Sequence, residues 1–257
     1  MIDISNTSLA ILFGAAFLAG FIDSIAGGGG IITVPALLAV GVPPHMTLGT
    51  NKLQASFGSL TAAINYRRGK MVRFREVALG VAFTALGACA GTMTVQILST
   101  GLLKHLIPAL LVAIFVYMLL NPRQGETRGA RRMAPWSFYL VFGCLIGFYD
   151  GFFGPGTGTI WMVAFVLLLG FDLKKATART KVLNFTSNIV ALATFVAGGN
   201  VILYVGLTMG FGQMLGAFVG SHLVLKRGTR FIRVFFLCAV AATIAKLLWS
   251  TYLQAGS

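Results

Sequence analysis

Two carboxylates and two glycine runs carry the chemistry that this sequence can offer. The chain has six acidic residues among 257, and Asp23 and Asp150 lie deep in apolar sequence. Each stands just before a break: Gly27, Gly28, Gly29 and Gly30 follow Asp23, while Gly154, Pro155, Gly156 and Thr157 follow Asp150. A charge in apolar sequence is costly and normally faces a partner, a cavity or an ion path. Two roles stay open for the pair. They can cap the following half-helix or neutralise a lysine, or they can couple transport to an ion. Glycine lets the backbone turn sharply and lets a ligand approach peptide N–H groups. Each run opens onto a helical segment, whose free N–H groups and positive dipole end favour an anion. Plain helix breaking is the competing explanation, and the symmetric pairing of the two runs favours a substrate site. The Gly-Lys-Ser/Thr ending of a P-loop is absent.

A third polar group opens two further segments at corresponding points. Asn51, Lys52 and Gln54 follow Thr50, and Lys181 and Asn184 follow Thr180, with Asn188 one turn on. Lys52 can hold an anion, pair with Asp23 or Asp150, or snorkel to the interface. Lys181 falls in a basic cluster that charge asymmetry alone explains. The amides suit ligand contacts and interhelical bonds alike.

These residues belong to a sequence that repeats itself. Gly20–Gly30 returns as Gly147–Thr157, and further matches continue at offsets of about 127 to 130 residues. Leu53-Gln54 pairs with Leu183-Asn184, and Leu86-Gly87-Ala88 with Leu215-Gly216-Ala217. The chain is 57% hydrophobic and 10% charged, with mean hydropathy +0.86, outside the range of a soluble domain. Ten apolar segments are expected, at 8–25, 30–41, 46–66, 77–99 and 105–120, then 136–150, 158–170, 182–198, 201–225 and 231–251. The second and seventh are too short to cross a bilayer comfortably and read as half-helices or hairpin partners.

Seventeen of the 20 basic residues fall in four clusters: Arg67–Arg75; Arg123, Arg128, Arg131 and Arg132; Lys174–Lys181; and Lys226–Arg233. Placing all four in the cytoplasm makes equivalent loops of the two halves fall on opposite sides, with both termini outside. The expected fold is therefore an all-α polytopic membrane protein of two inverted repeats, 1–122 and 136–257, joined by a basic cytoplasmic linker, 123–135. The net charge of +14 reads as orientation signalling, not as nucleic-acid binding. Cys89, Cys144 and Cys238 read as packing residues, and His45, His105 and His222 lack metal-ligand spacing, so no metal, cofactor or enzymatic chemistry is expected. Trp136, Trp249 and Tyr252 read as interfacial belt residues, Lys246 as a snorkelling lysine, and the glycines between Gly80 and Gly91 and between Gly206 and Gly220 as helix-packing positions.

The run Gly20–Gly30, followed by Val34-Pro35 and Gly49–Gln54, resembles the sulfite exporter TauE/SafE family, and Gly147–Gly158 with Leu183-Asn184 and Ser187-Asn188 extends the resemblance over nearly the whole chain. It implies a bacterial or archaeal inner-membrane permease for sulfite, a sulfonate, sulfoacetate or a related organosulfur anion, often working outward. The expected partners are that anion, the lipid bilayer and a coupling proton or sodium ion, with a homo-oligomer left open. Two other readings stand beside it: a cation carrier that uses the paired aspartates, and a non-transporting membrane scaffold.

Overall fold

The computed structural model describes residues 4–120 and 130–227. The tenth segment lies outside them. So do Asp3, Arg123, Arg128, Arg230, Arg233, Cys238, Lys246, Trp249 and Tyr252. Among the described residues the chain is helical, without strands. The order is α1 (Asn6–Ala26), α2 (Gly30–Ala39), α3 (Pro44–Arg68), a 3₁₀ turn (Phe74–Val77), α4 (Ala78–Ile97) and α5 (Thr100–Leu120). It continues with α6 (Pro135–Phe138), a π-helical stretch (Tyr139–Gly143), α7 (Cys144–Phe152), α8 (Thr157–Leu169), α9 (Leu173–Ala197) and α10 (Leu203–Arg227).

Local chemistry explains the boundaries. Ser5 Oγ accepts from the Ser8 amide at 3.2 Å and caps α1, which ends at Gly27 with φ +82°. Gly156 and Gly170, both left-handed, bracket α8. The largest difference from expectation is that α9 begins at Leu173 rather than 182; α5 begins at Thr100 rather than 105. The polar run Leu173–Lys181 is helical because Asp172 Oδ1 accepts from the Lys175 amide at 2.9 Å, which supplies the start that hydropathy does not signal.

Among the described residues four helices are long and apolar enough to cross a membrane: Asn6–Ala26, Phe74–Ile97, Leu173–Ala197 and Leu203–Lys226. The molecule buries polar groups beside its apolar core and turns large apolar side chains outward. Asn51, Lys52, Gln54, Asp150, Lys181 and Ser187 are buried, while Ile11, Leu86, Leu145 and Phe211 face outward. Buried charges beside an outward apolar surface are unlike a soluble protein. This is an all-α polytopic membrane protein.

Packing between the two helix series is reciprocal. α1 lies along α10 as α7 lies along α4, and α3 and α9 pack together between them. Glycines set the close approach: side chains at Gly87 and Gly91 would strike the Cys144 and Phe148 carbonyls, and at Gly212 and Gly216 the Phe13 and Phe17 carbonyls. The packing role expected of both glycine stripes is therefore met.

The helices gather their loops at two ends. At one end Arg179 pairs with Glu76, the Arg132 amide bonds the Leu168 carbonyl at 2.9 Å, and Gly69 touches Leu225. Apart from Lys181, the described parts of all four basic clusters meet there. At the other end Gly49 abuts Asn200, Thr50 Oγ1 accepts from the Ile202 amide at 3.0 Å, and Ile4 shares a core with Leu12, Leu37, Val42 and Val205. The start of α1 and the end of α2 thus lie together at this second end. The start of α6 and the end of α8 lie together at the basic end, where Phe138 packs on Trp161 and Phe165. Each short helix is the returning arm of a hairpin, and the two hairpin tips are the glycine breaks.

Candidate functional site

The tips of the two hairpins touch. A Cβ added to Gly27 would lie 2.6 Å from the Gly158 carbonyl carbon, and one on Gly158 would lie 2.8 Å from the Gly27 Cα. Beside this contact Gly30 meets Pro155, where an added Cβ would lie 3.1 Å from the proline Cα. Only glycine lets two backbones cross this closely. Tyrosines fix the flanks: the Tyr149 hydroxyl donates to the Pro155 carbonyl and the Tyr66 hydroxyl to the Ser24 carbonyl, both at 2.6 Å.

Around the crossing lies a cavity of about 30 Å³. Asp23, Gly28, Gly29, Gly30, Asn51, Lys52, Asp150, Gly154, Gly156, Thr157, Asn184 and Asn188 line it, together with Ala55, Gly158 and Gln213. Most residues expected from the sequence therefore converge on one space. It has room for a water or two, less than a sulfonate group fills.

Three charges line this space, and with Lys181 behind Asp23 they form two ion pairs, each joining a helix among α1–α5 to one among α6–α10. Lys52 Nζ on α3 sits 2.7 Å from Asp150 Oδ1 on α7 and also donates to the Asp150 carbonyl. Lys181 Nζ on α9 sits 3.0 Å from Asp23 Oδ2 on α1. Lys52 and Lys181 are 1% and 0% exposed, which corrects the interfacial readings of both: neither snorkels, and Lys181 is not part of the basic surface. Each ammonium is held inward because a carboxylate awaits it, buried at Asp150 and half-buried at Asp23. The carboxylates are held differently. Asp150 Oδ2 accepts from Ser187 Oγ, whereas Asp23 Oδ1 accepts only the Gly29 amide, at 3.4 Å. Asp23 thus both neutralises a lysine and caps the start of α2, while Asp150 neutralises a lysine without capping α8.

The amides also divide. Asn51 Oδ1 accepts from Thr33 Oγ1 and from Gln54 Nε2, both at 2.7 Å, so Gln54 stands behind the cavity and braces Asn51. Asn184 Oδ1 and Gln213 Oε1 are buried without a hydrogen-bond partner among the described residues. Gly30, Gly156 and Gly158 line the cavity too, and their amides make no backbone bond among the described residues. Pro155 and Gly27 shape the crossing from outside the cavity, and Lys181 reaches it only through Asp23. Such a set of donors and amides around balanced charge suits a small anion.

Three contributors were not named as site residues from sequence: Gln213, Thr33 and Ser187, the last appearing only within the family motif. Gln213 falls within the glycine stripe of α10, where packing explains its neighbours. Its signal is a lone amide in an apolar span, the kind of residue that marks a polar path. Ser187 offers less, because a serine one turn from Asn184 also satisfies itself on the Leu183 carbonyl.

Comparison with known proteins agrees with this picture. Residues 12–247 match the family model described as sulfite exporter TauE/SafE. The chain is 47% identical over 251 residues to the "Probable membrane transporter protein YfcA" of Escherichia coli K12, covering 98% of this chain and 93% of that protein. It is 47% identical over 248 residues to the "Probable membrane transporter protein ORF9" of a Sinorhizobium species, covering 96% and 95%. A "Probable membrane transporter protein" of Haemophilus influenzae is 44% identical over 251 residues, covering 96% and 97%. No solved structure matches the chain. With the match extending across both hairpins and the helices that carry the two ion pairs, the chain belongs to the sulfite exporter TauE/SafE family and is a membrane transporter.

Proposed function

We propose that this chain moves a small sulfur-containing anion, such as sulfite, a sulfonate or sulfoacetate, outward across the bacterial inner membrane. It does so by alternating access between two inverted halves, residues 1–122 and 136–257. The basic end is cytoplasmic and both chain termini lie outside. The observation that carries the reading is the crossing of the two glycine tips. It sets free helix-start amides, Lys52, Asn184, Asn188 and Gln213 around one buried cavity. Secondary carriers built from inverted repeats place anionic groups at such broken helices near the bilayer midplane. Reciprocal packing of α1 on α10 and α7 on α4 supports the inverted halves. The collection of basic loops at one end supports the orientation.

At about 30 Å³ the cavity is closed down. The anion enters when the hairpins part at Gly27–Gly158, from one side or the other. The cation-carrier reading loses ground, because Asp23 and Asp150 each already hold a lysine. A scaffold has no use for buried amides left without partners.

The test is a thermal-stability screen of the purified protein against sulfite, thiosulfate, methanesulfonate, sulfoacetate, sulfate and acetate, repeated with Asn188→Ala. Selective stabilisation by a sulfur anion, reduced in the variant, is the expected result. Stabilisation by sodium or potassium alone would favour the cation carrier, and no shift with any ion would favour the scaffold.

A further inference from the structure

We infer that a proton travels with each anion, and that Asp23 rather than Asp150 carries it; this rests on the anion-carrier reading above. The argument begins with charge. Lys52, Asp150 and Asp23 line the cavity and Lys181 stands behind Asp23, so two ammonium groups and two carboxylates leave the empty site neutral. The other surrounding elements bring no further charge: α2 contributes Gly30, α8 Thr157 and Gly158, and α10 Gln213. The remaining titratable side chains nearby are Tyr66 and Tyr149, whose hydroxyls are engaged by the Ser24 and Pro155 carbonyls. An anion entering this space adds an uncompensated buried charge, which is strongly unfavourable. Neutrality returns if one carboxylate takes a proton.

The two carboxylates differ in their fitness for that step. Asp150 has a side chain 4% exposed, is held by Lys52 and Ser187, and its own backbone carbonyl holds the same lysine. Releasing it breaks several bonds at once. The Asp23 side chain is 15% exposed, and Lys181 is its one strong partner. When the anion draws Lys181 away, Oδ2 is left free while Oδ1 keeps the Gly29 amide. A proton from water on the loading side then forms the O–H bond at Oδ2, and Lys181 stays an ammonium. On the unloading side the anion leaves, the O–H bond breaks to water, and the Lys181–Asp23 pair re-forms. A metal cation fits the same place poorly, because both Asp23 oxygens face N–H donors.

The experiment uses vesicles reconstituted with the full chain and loaded with a pH-sensitive dye. Labelled methanesulfonate is offered first, because its charge does not change with pH. Sulfite and thiosulfate follow. About one proton should enter per methanesulfonate, so that uptake is indifferent to a clamped membrane potential. Acidifying the loading side by one unit should raise the rate by up to about ten-fold. In Asp23→Asn the proton-to-anion ratio should fall to near zero. If that variant does not fold, Asp23→Asn with Lys181→Met removes both buried charges together and gives the same readout. Anion uptake without proton entry, or uptake driven by a sodium gradient, overturns the inference and leaves the anion-carrier reading intact. A ratio lost in Asp150→Asn but kept in Asp23→Asn overturns the assignment to Asp23. If the wild-type chain takes up none of the three anions, the anion-carrier reading itself falls, and this inference with it.

Discussion

Asp150 and Asp23 occupy equivalent places before the two glycine breaks, yet their surroundings make them different devices. Around Asp150 everything is fastened: Lys52 binds both its carboxylate and its backbone carbonyl, and Ser187 takes the second oxygen. Around Asp23 one ammonium and one long amide bond do the holding, and the side chain keeps some exposure. The asparagines divide the same way. Asn51, on the helix of the fastened lysine, is tied to Thr33 and Gln54, whereas Asn184, on the helix of the looser lysine, keeps an oxygen without a partner among the described residues, as does Gln54. A fold with reciprocal packing therefore carries a clamp on α3 and α7 and a releasable contact on α1 and α9. The difference arises from a shift of one position. Thr50-Asn51-Lys52 aligns with Thr180-Lys181-Val182, so the two lysines leave their helices about 100° apart.

Breaking the clamp should have the largest effect. Lys52→Met leaves a buried carboxylate without its cation, a change that costs about 3–5 kcal/mol. The expected outcome is loss of monodisperse protein, or a fall of many degrees in melting temperature, in detergent. Lys52→Met combined with Asp150→Asn should recover much of that loss, because no charge is then stranded. If the double variant is no better than the single, the pair is not the clamp described here.

Next comes the scaffold that both devices share. Gly91 and Gly216 sit where α4 crosses α7 and α10 crosses α1, and a side chain at either would strike a carbonyl of the facing helix. Gly91→Val and Gly216→Val should each cost at least about 1–3 kcal/mol, the cost of overpacking. Similar losses at the two positions would mean that the halves are mechanically alike though chemically different. A loss at only one would confine the reciprocity to the sequence.

Much of this was legible in the sequence, and the reasons are physical. The glycine breaks, the short returning helices and the aspartates announce themselves because each violates the apolar pattern around it. Partner choice is not announced. Lys181 reads as one more basic residue after Lys174, Lys175 and Arg179, since charge counting cannot see that the helix turns this one inward. The start of α9 was hidden for the same reason, because a capped polar turn leaves no trace in hydropathy. Gln213 was masked by the glycines on either side, whose packing role is itself correct.

A smaller effect should follow from loosening the second device. Lys181→Met removes the ammonium from Asp23, but this carboxylate can be relieved by water or a proton. The stability loss should be about 1–3 kcal/mol, below that of Lys52→Met. It is measured by the same thermal denaturation. Equal losses at the two lysines would erase the distinction between clamp and releasable contact.

The smallest effect on stability should come from the unpartnered amides, and its sign is the informative part. Gln213 is 1% exposed, and its Oε1 has no hydrogen-bond partner among the described residues. A buried polar group without a partner is a standing cost, so replacing it by an apolar group of similar shape is neutral or favourable. Gln213→Leu should therefore leave the melting temperature unchanged or raise it by the equivalent of up to about 1 kcal/mol. Asn51→Leu takes the 2.7 Å acceptor from the Thr33 hydroxyl and the Gln54 amide, leaving them their longer bonds to Gly29 and Thr33, and should lower it instead. If the amide of Gln213 is kept for the anion, the same Gln213→Leu protein should lose most of the stabilisation that a sulfur anion gives the wild type. A variant that gains stability while losing its response to the anion separates binding from folding at this residue. A variant that loses both would mean that Gln213 supports the α1–α10 contact and nothing more.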